Sequence, residues 1–175
     1  MAQAAEGSDS PLLICYDASP EAGDAVAYVA GLLPGTRAVV VTVWKAIIEE
    51  LLAGPPDAPP VADPVEANER QHQAALVIAE QGARLASKAG LRAEASVIKA
   101  TDSIWEAIEE AAEKFDARLI ACGTRRTGVA VTLPGNLASA LIQHSSRAVL
   151  VVPSAKAVAE RRRATKSERR AHIRG

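Results

Sequence analysis

Leu119-Ile-Ala-Cys122-Gly123-Thr-Arg-Arg-Thr-Gly128-Val-Ala-Val-Thr-Leu-Pro-Gly135-Asn136 passes from a short apolar run, through a glycine-bearing segment, to the start of a helix-like stretch. A strand that ends in glycine just before a helix can turn bare backbone N–H groups, helped by the positive end of the helix, towards an anionic group. The segment therefore has the form of an altered phosphate cradle. Such a site holds a nucleotide without performing chemistry on it.

Working outward, Leu12 to Tyr16, Ala38 to Trp44, Ala93 to Ala100, Arg118 to Cys122 and Ala148 to Val152 are short apolar runs rich in Val and Ile. They predict five strands. Segments with helical spacing lie between them, and strands alternating with helices argue for one parallel sheet covered on both faces. Ser19 and Pro20 suit the cap and first position of a helix carrying Val26, Val29 and Leu33. Ser103 and Glu106 predict a capping box for a helix running through Ile104, Ile108, Ala111 and Phe115. The stretch from Glu66 to Ala89 predicts a longer helix whose face of Ala75, Ala79, Ala83 and Ala86 can lie close to the sheet, and a last helix is expected from about Pro134 to His144. Between Ala53 and Pro64 stand five of the ten prolines, which predicts a long surface loop.

The chain has 175 residues, 49% of them hydrophobic and 3% aromatic, and this fits one α/β domain with an aliphatic core. That domain is expected over residues 11–154, between an N-terminal extension, 1–10, and a basic tail, 155–175. Lys156 to Gly175 carries eight Lys or Arg against Glu160 and Glu168, so the tail is +6 and the remainder −7. Such a tail is expected to be solvated extension, with a protein or anionic partner as its alternative use. No apolar run approaches the ~20 residues of a membrane span, and Met1 to Ser10 lacks a basic region followed by an apolar one. The expectation is a cytoplasmic protein without membrane insertion. Cys15 and Cys122 both fall in strand-like runs, which suits buried, reduced thiols.

In an open parallel sheet, ligands sit beyond the carboxyl ends of the strands. Those ends are Tyr16-Asp17-Ala18-Ser19, Thr42-Val43-Trp44 and Cys122-Gly123. Asp17 can accept a hydrogen bond from a base or sugar, and Gly123 permits close backbone approach to a phosphate. Alternatively, Asp17 and Ser19 only cap the first helix. His72, His144 and His172 show no metal-ligand spacing, and Ser139, Ser145 and Ser146 lack a strained glycine-flanked turn. No catalytic or metal residues are expected.

With these residues in place, the chain resembles the universal stress protein family over nearly all of 11–153. The resemblance rests on Ile14-Cys-Tyr-Asp17-Ala-Ser19-Pro20-Glu21, on Ala117-Arg-Leu-Ile-Ala-Cys-Gly123-Thr-Arg and on Ser146-Arg-Ala-Val-Leu-Val-Val-Pro153. It implies a doubly wound five-stranded parallel sheet in the order 3-2-1-4-5, and a homodimer joined through the last strand, Ala148 to Pro153. The family divides into members that bind ATP and members that do not. In the former, residues at the positions of Asp17 and Val43 lie against adenine, and a G-x2-G-x9-G-[ST] motif holds ribose and phosphates. Here Gly123 is kept, Arg126 stands at the second glycine with Gly128 two residues on, Gly135 arrives one residue early, and Asn136 replaces Ser or Thr. Arg126 crowds the usual phosphate path, although a guanidinium is itself a good phosphate partner. Asp102, in the Asp102-Ser103-Ile104 element before the third helix, would repel a triphosphate. The implied ligand is an adenine nucleotide, ATP, ADP or AMP, bound by Tyr16, Asp17, Val43, Cys122, Gly123, Arg126, Gly128, Gly135 and Asn136. The alternative is a nucleotide-free homodimeric interaction module.

Overall fold

A computed structural model describes residues 10–46, 63–124, 137–160 and 162–163. The elements in order are β1 (Leu12–Cys15), α1 (Pro20–Leu32), β2 (Arg37–Lys45), α2 (Pro64–Lys88), β3 (Arg92–Ala100), α3 (Ile104–Lys114), β4 (Leu119–Thr124), α4 (Leu137–His144) and β5 (Ala148–Pro153). All the strand pairs are parallel, and the order is β3-β2-β1-β4-β5. The expected doubly wound sheet is thus observed, and each expected strand end lies within two residues of the observed one. Residues 47–62, with most of the expected proline-rich loop, lie outside the described residues. Of that loop, Pro64 opens α2.

Alternation along each strand divides the core. Leu12 and Ile14 of β1, with Tyr16 just beyond it, join Ala38 and Val40 under α1 and α2, with Val26, Val29, Ala83 and Ala86 as helix partners. Leu13, Val39, Val41, Ile120 and Cys122 face the other way, against Ile108, Ala111 and Ala112 of α3 and Ala138 and Leu141 of α4. Helix α2 lies close to the sheet because its buried face is Ala67, Ala75, Ala79, Gly82, Ala83 and Ala86. A side chain at Gly82 would meet the Tyr16 ring at 2.6 Å and Val40 at 2.8 Å, so glycine here makes room for the tyrosine.

The helix starts follow the sequence with two differences. Asp63, inside the expected loop, caps α2 by accepting from Val65 N at 3.0 Å and Glu66 N at 3.1 Å. At α3, Ser103 Oγ accepts from Glu106 N at 3.3 Å, but the Glu106 carboxylate takes the serine hydroxyl at 2.8 Å, where a full capping box would take a backbone N–H.

The tail does not begin as free extension. Residues 155–160 are helical. Ser154 Oγ accepts from Ala157 N at 3.1 Å, Ala155 N donates to Asp24 Oδ2 of α1 at 2.8 Å, and Ala157 is only 2% exposed. The charge of the tail hides one good cap and one apolar contact, and these dock its first turn. Residues 164–175 lie outside the described residues.

Candidate functional site

At or just beyond the ends of β1, β2 and β4 stand five of the nine residues expected at the site, Tyr16, Asp17, Val43, Cys122 and Gly123. Tyr16 is 6% exposed and belongs to the core beneath α2. Its backbone is engaged as well, with Tyr16 N donating to Val41 O at 2.9 Å and the Thr42 hydroxyl donating to Tyr16 O at 2.8 Å. Beyond it the chain turns sharply. Ala18 has φ 61°, a left-handed conformation that costs a non-glycine residue about 1–2 kcal/mol. The turn is held by Asp17 Oδ1, which accepts from Ser19 N at 3.0 Å, and by Ser19 Oγ, which accepts from Ala22 N at 3.2 Å at the head of α1. Asp17 is therefore exposed at the mouth of the site and also shapes the turn. The capping role and a ligand role use the same short segment.

Gly123 has a structural reason of its own. A Cβ there would run into the carbonyl oxygen of Glu21, with Glu21 C at 2.7 Å and Ala22 N at 3.1 Å. On that face the close backbone approach is made by the first turn of α1. The sequence reading reserved the approach for a phosphate, because a strand-end glycine does not disclose which neighbour comes close.

On the opposite face of the sheet the strand ends are differently furnished. Val43 is half-buried and packs with Cys15, Ile98 and Trp105 against the α3–α4 core. Cys122 is 2% exposed and Cys15 half-buried. In the β1–β4 register Ile14 is opposite Ala121, so the next positions along these strands are the two cysteines. Burial pushes the Cys122 thiol up to about 11. Burial, the Cys122 thiol and the Asp17 carboxylate together hold the Cys15 thiol well above its ordinary range. Both sulfurs are protonated at neutral pH and behave as small apolar side chains.

Alternation continues from Ile120 and Cys122 to Thr124, the last residue of β4. Its hydroxyl oxygen is buried and has no hydrogen-bond partner among the described residues. Sequence reasoning missed it, since threonine at the end of a strand reads as a β-former. Arg126, Gly128, Gly135 and Asn136 lie outside the described residues. Asp102 is exposed in the turn before α3.

Two open grooves occur elsewhere. One, of about 410 Å³, runs beside α2 and β3 past Glu80, Arg84 and Lys88. The other, of about 380 Å³, lies on α3 beside Glu106, Glu109, Glu110, Glu113 and Arg147. Neither lies at the strand ends.

The universal stress protein family model matches residues 10–153, the whole of this sheet and its helices. The chain belongs to the universal stress protein family. Solved universal stress proteins share its fold. One from Burkholderia pseudomallei is 21% identical with a TM-score of 0.61, covering 84% of this chain and 98% of its own. One from Archaeoglobus fulgidus in complex with dAMP is 16% identical with a TM-score of 0.54, covering 81% and 96%. One from Arabidopsis thaliana with AMP bound is 10% identical with a TM-score of 0.56, covering 82% and 91%. Among curated proteins none matches this chain.

Among the described residues, no helix of this universal stress protein is long and apolar enough to cross a membrane.

Proposed function

We propose that this universal stress protein binds an adenine nucleotide, ATP, ADP or AMP, at the carboxyl ends of β1, β2 and β4, performs no chemistry on it, and acts as a cytoplasmic homodimer in stress response or signalling. The observation that carries the reading is the convergence at one sheet end of an exposed carboxylate at Asp17, a half-buried apolar side chain at Val43 and a strained turn at Ala18. Family members of this fold with AMP or dAMP bound support the choice of ligand. In this reading Val43 packs against the base and Asp17 accepts from the base or ribose. Tyr16 and Cys122 support these positions from within the core. Gly123, Arg126, Gly128, Gly135 and Asn136 surround the phosphates, with the Arg126 guanidinium supplying charge where the family has glycine.

Isothermal titration of the purified protein with ATP, ADP, AMP and cyclic AMP tests this. Binding of at least one with a Kd below about 1 mM, or roughly 4 kcal/mol, is expected. No heat from any of the four rejects the reading.

A second reading, a nucleotide-free homodimeric module, is favoured by one observation: the space at Gly123 is taken by α1. The edge strand β5, with Val149, Leu150 and Val151 half-buried, supports pairing with a second copy in either reading. The basic tail is left for an anionic or protein partner. Nucleotide released when the purified protein is denatured would count against the module reading, whereas a nucleotide-free dimer in sedimentation would favour it.

A further inference from the structure

The Thr124 hydroxyl stands at the end of β4 without a hydrogen-bond partner among the described residues. Its oxygen is shielded from solvent and accepts and donates nothing among the described residues. A buried hydroxyl without a partner is costly enough that native proteins nearly always satisfy it.

Its position is informative. Thr124 follows Cys122 on the alternating side of β4 that faces α3 and α4. Val43 is on that side of β2 and Cys15 on that side of β1, with Asp17 two residues further along the chain. Thr124 therefore stands at the same end and on the same face as the proposed base-binding residues, one residue beyond Gly123. A side chain at Gly123 would point the other way, into the first turn of α1.

We propose that Thr124 is a ligand-positioning residue, whose hydroxyl donates a hydrogen bond to a sugar or phosphate oxygen of the bound adenine nucleotide. This rests on the nucleotide-binding reading and adds to it a side-chain contact from the position just after Gly123, where the motif specifies no residue. A hydroxyl whose bond is completed only by the ligand has a distinct signature: its removal weakens binding and leaves the unliganded protein as stable as before, or more so, because the orphan is gone.

The test is isothermal titration with AMP of the wild type, Thr124→Val and Thr124→Ser, with thermal melts of all three without nucleotide. Thr124→Val, which keeps the shape and removes the hydroxyl, is expected to bind AMP about tenfold more weakly and to melt no lower than the wild type. Thr124→Ser, which keeps the hydroxyl, is expected to stay within about threefold of the wild type. Wild type and Thr124→Val binding AMP equally overturns the proposal and leaves the nucleotide reading standing. A Thr124→Val protein that melts well below the wild type, or fails to fold, also overturns it, since the hydroxyl would then serve the unliganded chain. A wild type that binds none of AMP, ADP, ATP and cyclic AMP ends both.

Discussion

Replacing Gly123 with alanine separates two reasons for a glycine. If glycine serves only to let a phosphate approach, the unliganded protein should tolerate a methyl group, and would even gain about 0.4–1 kcal/mol from a less disordered unfolded chain. The geometry says otherwise. The added Cβ would collide with the Glu21 carbonyl and stand 3.1 Å from Ala22 N, and both belong to the backbone of the first turn of α1. A side chain can rotate aside, but a capped helix start cannot, so α1 must lift from the sheet. Overpacking of this kind costs about 1–3 kcal/mol, and a backbone obstacle places the site at the upper end. After the unfolded-state gain is subtracted, a net loss of about 2 kcal/mol is expected, a fall in Tm of about 4–8 °C for a domain of this size. Thermal and urea denaturation without nucleotide measure it. Gly82→Ala serves as the comparison, because its Cβ meets the Tyr16 ring and Val40 side chain, which have some freedom to shift. A Gly123→Ala protein melting within a degree of the wild type would refute the packing argument.

Ser19→Ala should lower stability by about 1 kcal/mol through loss of the cap on Ala22 N, read as a shift in urea midpoint with unchanged slope. Truncation after Pro153 should lower Tm, because it removes the Ser154 cap and buried Ala157, while truncation after Arg163 should leave the melt unchanged. Raising the pH should weaken the fold through Cys122. Its folded thiol titrates at about 11 against an ordinary 9.0, so the unfolded chain loses its proton first, and stability present below pH 9 declines towards pH 11. The loss, of order 2 kcal/mol, should shrink in Cys122→Ala when both proteins are melted across that range.

The strands were legible because each is a compact run of branched aliphatic residues bounded by polar or turn residues. Val39, Val40 and Val41 in β2 admit few other readings. The sheet order was not legible from pattern alone, since a parallel register is set by crossovers; it came with the family resemblance. Ser19-Pro20 announced α1 correctly, whereas Asp63 was hidden by the prolines before it. The tail shows how composition can mislead: a +6 segment masked the serine cap and single alanine contact that dock its first turn. At the site, Asp17 and Val43 were legible as strand-end residues. Tyr16 was recognised as a strand end, but its ring belongs to the core, because the absence of a side chain at Gly82, 66 residues away in sequence, makes the space it occupies. Gly123 carries the same lesson, with α1 as its neighbour. Thr124 was missed because an unmet hydrogen bond is a property of its surroundings.

The central claim is that the carboxyl ends of β1, β2 and β4 hold an adenine nucleotide. Amide chemical shifts in a ¹H–¹⁵N correlation spectrum, followed as AMP is added, test both binding and place. The account predicts saturable shifts concentrated at Asp17, Val43, Gly123 and Thr124, with α2 and the outer half of β3 unmoved. A spectrum that stays unchanged to millimolar AMP, or shifts confined to the grooves beside α2 or α3, would contradict it.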